Sequence, residues 1–201
     1  MTIVCFGDSL TEGYQSSRDG GPGFTPYGQW LREWLGKRGT IWIRGVCGET
    51  TQQMKERFPS DVLALHPGYA VILGGTNDLG WGLPAKMVIK NLVWMYAEAQ
   101  SHGILPVSVT IPSLGGLGMP GSISSYRPAL QSRVEVNEAL KTYCQMKQIP
   151  IVDLFSVTCD PQSQELASEF SDDGLHLTEL GYRTLAHLLW NQVFKSRLEN
   201  Q

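Results

Sequence analysis

The stretch Ile3-Val4-Cys5-Phe6-Gly7-Asp8-Ser9-Leu10-Thr11-Glu12-Gly13 reads as a short apolar strand that breaks off into a polar turn. An unbroken apolar run such as Ile3–Phe6 fits a strand covered on both faces. Outward from it the same rhythm repeats. Ile41–Arg44, with Val46 beyond, is a second run; Ala70–Leu73 ends at Gly74-Gly75; Leu105–Ile111 ends at Pro112; Ile149–Leu154 is the last. Helical patterns lie between them. Thr25-Pro26 opens one that reaches Gly36, by a cap followed by proline at the first helical position. Others span 50–58, 84–102, 128–148 and 178–197, the last carrying Leu180, Leu185, Leu188, Leu189 and Val193. Strands alternating with helices predict βαβ units and a parallel sheet of about five strands in an α/β/α three-layer sandwich.

Composition agrees with one domain over residues 1–201 and excludes several classes. Apolar residues make up 42% and charged residues 17%, a balance too apolar for a disordered chain. Sixteen basic and nineteen acidic residues leave a net charge of −3. With no block of Lys or Arg to neutralise phosphates, no nucleic-acid partner is expected. No apolar run approaches the length of a membrane span. Met1–Gly7 lacks a basic region and reads as a first strand rather than a signal peptide, which leads to the expectation of a cytoplasmic protein. Cys5, Cys47, Cys144 and Cys159 are widely spaced and read as reduced thiols. The oligomeric state is not legible.

In an open parallel sheet, function collects in the loops beyond the C-terminal strand ends. Three such loops read Gly7-Asp8-Ser9-Leu10, Gly45-Val46-Cys47-Gly48-Glu49-Thr50 and Gly74-Gly75-Thr76-Asn77-Asp78. About twenty residues past the last strand comes Asp172-Asp173-Gly174-Leu175-His176. A hydroxyl, free backbone N–H groups, a carboxamide, a carboxylate and an imidazole would share one edge, which is the set that acyl transfer through a serine requires. Ser9 is the expected nucleophile and His176 its base and later acid, with Asp173 orienting the ring. The oxyanion needs fixed donors, for which Ser9 N–H, Gly48 N–H and the Asn77 side chain are the candidates.

These blocks resemble those of the GDSL-type esterases of the SGNH hydrolase superfamily. Gly7-Asp8-Ser9-Leu10, Gly48, Gly75-x-Asn77-Asp78 and Asp173-x-x-His176 stand in that family's order across nearly the whole chain. The resemblance implies a flavodoxin-like sandwich and hydrolysis of esters or thioesters with no metal and no cofactor. The G-x-S-x-G elbow of α/β-hydrolases is absent. Family members often carry Asn where Ile43 stands and Ser-Gly-Asp where Cys47-Gly48-Glu49 stands.

Plainer readings compete for some residues. Asp8 and Ser9 alone would serve as a turn and helix cap. Asp172 competes with Asp173 as the orienting acid, and the pair with His176 could ligate a metal, though no second ligand cluster accompanies it. Cys47 reads as a small buried apolar residue rather than a nucleophile. His66, His102 and His187 lack a neighbouring acid in sequence and read as structural or surface residues. Gly20-Gly21-Pro22-Gly23 is followed by no Gly-Lys-Ser/Thr, so it is no phosphate loop. Trp81 and, in the long 112–127 connection, Leu117 and Met119 are the candidates for binding substrate; that connection reads equally as a lid and as a surface loop. The substrate expected is a small-molecule or lipid acyl ester or thioester. A carbohydrate O-deacetylase, a catalytically silent binding module and a nucleotide-binding flavodoxin-like protein are the alternatives.

Overall fold

The structure, a computed structural model, describes residues 1–16, 23–115 and 123–199. Strand β1 (Thr2–Gly7) leads into the one-turn helix α1 (Ser9–Glu12) and a short ribbon of β2 (Tyr14–Gln15) and β3 (Gly23–Phe24). Then come α2 (Gly28–Leu35), β4 (Thr40–Gly45), α3 (Thr51–Asp61), β5 (Tyr69–Leu73), α4 (Thr76–Gly80) and α5 (Ala85–Ser101). The chain continues through β6 (Leu105–Val109), α6 (Ile123–Lys147), β7 (Ile151–Val152), α7 (Leu154–Thr158), α8 (Glu179–Leu189) and α9 (Lys195–Glu199).

The five main strands are all parallel and lie in the order β4-β1-β5-β6-β7. That is the doubly wound order of flavodoxin-like sheets, and it reverses at β1. The crevice of such a sheet opens where the order reverses, between the ends of β1 and its two neighbours.

Alternation along β1 shows why the sheet is covered twice. Ile3 and Cys5 enter one core with Leu31 and Leu35 of α2 and Leu185 and Leu189 of α8. Val4 and Phe6 enter the other with Phe58 of α3, Leu92 and Tyr96 of α5 and Leu140 of α6. All four β1 residues are almost fully buried. Successive side chains point to opposite faces, so an apolar run on one strand feeds both layers. The three-layer sandwich expected from the sequence is present.

Boundaries differ where polar side chains end an element. The run at 149–154 pairs only over Ile151–Val152, because Asp153 turns its carboxylate to the Ser156 N–H at 3.1 Å and caps α7. Helix α3 runs through Pro59 to Asp61, beyond the expected stop at Phe58. The final helical pattern divides at Trp190–Phe194, a π-helical segment between α8 and α9. The four cysteines are free thiols.

Candidate active site

Ser9 stands at the first helical position after β1. The Asp8 carboxylate accepts the Leu10 N–H at 2.9 Å and so caps α1. Asp8 is fully buried, and its Oδ2 has no hydrogen-bond partner among the described residues. Burial pushes its carboxyl up to about 7, although the Leu10 N–H and the charge of His176 pull the other way; Asp78 and Glu49 add to the rise. Direct contacts link the other blocks to one another and to this part of the chain: the Cys47 N–H reaches Glu12 at the end of α1, the Asn77 amide reaches the Glu49 carbonyl, and the His176 ring packs against Tyr14.

The loop after β4 extends the ladder by one bond, from Val46 N–H to Gly7 carbonyl at 3.1 Å. The Cys47 N–H then donates to Glu12 Oε2 at 2.7 Å. Gly48 is exposed, holds φ at +79° and has open space where a side chain would sit. A glycine meets that backbone without strain and leaves its N–H approachable. Cys47 is exposed in the loop after β4, not buried as its sequence reading expects; what burial it has and the Glu12 carboxylate push its thiol up to about 12, which keeps it protonated at neutral pH.

Asn77 lies in the first turn of α4, and its Nδ2 donates to the Glu49 carbonyl at 2.8 Å. One amide hydrogen is thereby fixed and the second remains available to a ligand. Asp78, fully buried, accepts from Thr51 N–H at 2.8 Å and from Thr51 Oγ1 at 2.7 Å. Block three is therefore tied to the start of α3, and through it to the Gly48 loop.

The last block is a closed loop. Asp173 Oδ1 accepts the N–H groups of Leu175 at 2.8 Å and His176 at 2.7 Å, while Oδ2 meets His176 Nδ1 at 2.7 Å. Burial alone would raise the Asp173 carboxyl; the bonds from the imidazole and the two N–H groups outweigh it and hold the group down at about 2. Asp173 contacts the ring. Tyr14 packs its ring 4.5 Å from the imidazole, edge to face, and Tyr182 Oη donates to the Tyr14 carbonyl at 2.6 Å. A cavity of about 260 Å³ lies behind this loop, between Ser171, Gly174 and Leu166.

Trp81, just past α4, is 70% exposed. Val46 and Phe24 are also exposed, and Phe24 lies against Tyr14 at 5.8 Å between ring centroids. Leu117 and Met119 lie outside the described residues. Among the described residues no group of three or more His, Cys, Asp or Glu is placed to hold a metal ion, and no helix is long and apolar enough to cross a membrane.

Some participants had no signal in the sequence. Tyr14 reaches His176 from a part of the chain remote in sequence, as does Tyr182 the Tyr14 carbonyl. Glu49 stands out in the sequence only as a position where family members often carry Asp, and Arg57 only as one charge within the 50–58 helical pattern.

The chain belongs to the GDSL-like lipase/acylhydrolase family, whose profile matches residues 5–184. The fold is similar to that of a protein from Bacteroides fragilis NCTC 9343 assigned as an acylhydrolase. The two are 27% identical, with a TM-score of 0.78 over 98% of this chain and 88% of that one. The lipase/acylhydrolase from Enterococcus faecalis shares the fold at 24% identity and a TM-score of 0.75, over 97% of this chain and 96% of its own. So does an acetyl-xylooligosaccharide esterase from Geobacillus stearothermophilus (the W190I mutant), at 17% identity and a TM-score of 0.76, over 95% and 93%. An uncharacterized lipoprotein, YqeF of Bacillus subtilis (strain 168), is 36% identical over 127 residues. The match takes in 58% of this chain and 51% of the lipoprotein, so the chain spans about half the length of that relative. This relative overturns the expectation of a cytoplasmic protein. The residues read there as lacking a leader are spent on β1, and a strand near the start of a sequence carries no information about compartment.

Proposed function

We propose that the protein hydrolyses carboxylic esters or thioesters through an acyl-enzyme on Ser9. The observation that supports this reading is the Asp173–His176 pair, its Nδ1 held 2.7 Å from the carboxylate and its ring packed against Tyr14, five residues after Ser9. In the first half-reaction His176 Nε2 takes the Ser9 proton as Oγ bonds to the substrate carbonyl carbon. The negative charge that develops on the carbonyl oxygen is met by the Ser9 and Gly48 N–H groups and the free Asn77 amide hydrogen. Collapse breaks the bond to the leaving oxygen or sulfur, which receives the proton from His176. Water then repeats the sequence on the acyl-enzyme, releasing the acid and restoring Ser9.

Asp173 holds the Nδ1 side of the ring and stabilises the imidazolium that forms in each half-reaction. No step needs a metal or cofactor. Trp81, Val46 and Phe24 are exposed apolar residues that follow Asn77, precede Gly48 and pack on Tyr14 respectively; taken as an apolar rim, they favour substrates with an apolar acyl or alcohol group over a fully hydroxylated sugar ester.

Initial rates on p-nitrophenyl esters from acetyl to palmitoyl, for wild type beside Ser9→Ala, test the reading. Turnover in wild type and its loss in a folded Ser9→Ala support it, and an optimum beyond acetyl supports the apolar rim. Equal rates in both proteins count for a catalytically silent module.

A further inference from the structure

Arg57, in the middle of α3, makes an unusual set of contacts for a residue of a polar helix face. Its Nε donates to Glu49 Oε2 at 2.6 Å and its Nη1 to Asp61 Oδ2 at 2.8 Å. Nη2 donates to the Gly7 carbonyl at 2.8 Å, and both Nη atoms reach the Arg44 carbonyl at 3.2 Å. The guanidinium also lies over the Phe6 ring, 4.2 Å from its centroid. Only 16% of the side chain is exposed.

These partners are placed with meaning for the chemistry. Gly7 is the last residue of β1 and directly precedes Asp8-Ser9. Arg44 stands near the end of β4, where the Gly48 loop departs. Glu49 follows Gly48, and its carbonyl is the acceptor that orients Asn77. One planar cation therefore joins the strand end bearing Ser9 to the loop bearing one oxyanion donor and orienting another. A lysine could make one or two of these bonds but lacks the fork that makes them together.

We infer that Arg57 is a positioning residue that sets the oxyanion donors against the Ser9 turn. It touches neither substrate nor the reacting atoms and acts through Glu49 and the Gly7 carbonyl. Because the donors must match the transition-state oxyanion rather than the ground-state carbonyl, a small shift in the loop lowers kcat more than it raises KM. The inference rests on the acyl-enzyme reading.

The test compares wild type, Arg57→Lys, Arg57→Ala, Glu49→Gln and Ser9→Ala on p-nitrophenyl butyrate. Active sites are counted by titration with a p-nitrophenyl alkylphosphonate, so that kcat refers to competent sites only. Arg57→Ala is expected to lose roughly tenfold or more in kcat per titrated site, a barrier change of about 1.4 kcal/mol, with KM within about twofold. Arg57→Lys should recover part of that loss. Glu49→Gln, which leaves the backbone and helix alone, should fall in the same direction and keeps the test sound if Arg57→Ala does not fold. Wild-type kcat per titrated site in the folded Arg57 variants, or in Glu49→Gln, overturns the inference while an inactive Ser9→Ala leaves the acyl-enzyme reading standing. Full activity in Ser9→Ala overturns both.

Discussion

Asp173 and His176 are three residues apart, and one carboxylate serves both the backbone and the ring of the histidine. Oδ1 accepts the His176 N–H and Oδ2 meets the His176 Nδ1, each at 2.7 Å. The acid thus fixes where the imidazole begins and which way it faces. Ser171 closes the loop behind it, donating from Oγ to the His176 carbonyl at 2.7 Å.

Asp173→Asn should cost activity and stability, with a defined pH signature. The folded group titrates at about 2, below its ordinary 3.8. Its contribution to stability is then present above pH 3.8 and is lost as pH falls toward 2. Allowing for solvent screening, the loss at neutral pH is on the order of 1 kcal/mol. Melting curves from pH 2 to 7 check this: wild type and variant should converge at the acid end.

Asp8 carries the opposite sign. Its folded carboxyl is raised from 3.8 to about 7 by burial, so folding favours the protonated form and stability falls as pH rises from 3.8 through 7. Asp8→Asn keeps an oxygen for the Leu10 N–H and removes the titration. Its melting temperature relative to wild type should therefore rise between pH 4 and pH 8. Parallel profiles for the two proteins would contradict the burial argument.

Asn77→Ala removes an oxyanion donor and should lower kcat by roughly a hundred- to a thousandfold while KM moves little. Steady-state kinetics on one ester suffice, and an unchanged kcat would remove Asn77 from the oxyanion site.

Trp81→Ala should raise KM for octanoyl esters more than for acetyl esters, since the indole is the largest exposed apolar surface near the α4 turn. A uniform change across the chain-length series would place Trp81 outside the acyl or alcohol path.

The parallel sheet was legible because its strands are apolar on both faces, and Ile3 through Phe6 feed two cores at once. The Gly7–Leu10 and Asn77 blocks stood out because each follows a strand, and Asp173–His176 because an acid and a histidine stand three residues apart. The β2–β3 ribbon was not, since two-residue strands leave no period to read. Arg57 was equally hidden: in one dimension it is one charge among several on a polar helix. Its role appears only when the Gly7 and Arg44 carbonyls are brought to it by the sheet.

The central claim is that Ser9 carries the acyl group. The most direct measurement is peptide mass mapping after reaction with a p-nitrophenyl alkylphosphonate, which leaves a stable tetrahedral adduct on an activated serine. The account predicts one adduct, on the peptide containing Ser9, formed far more slowly in His176→Ala and absent in Ser9→Ala. An adduct on another residue, or ester hydrolysis undiminished in a folded Ser9→Ala, would contradict it.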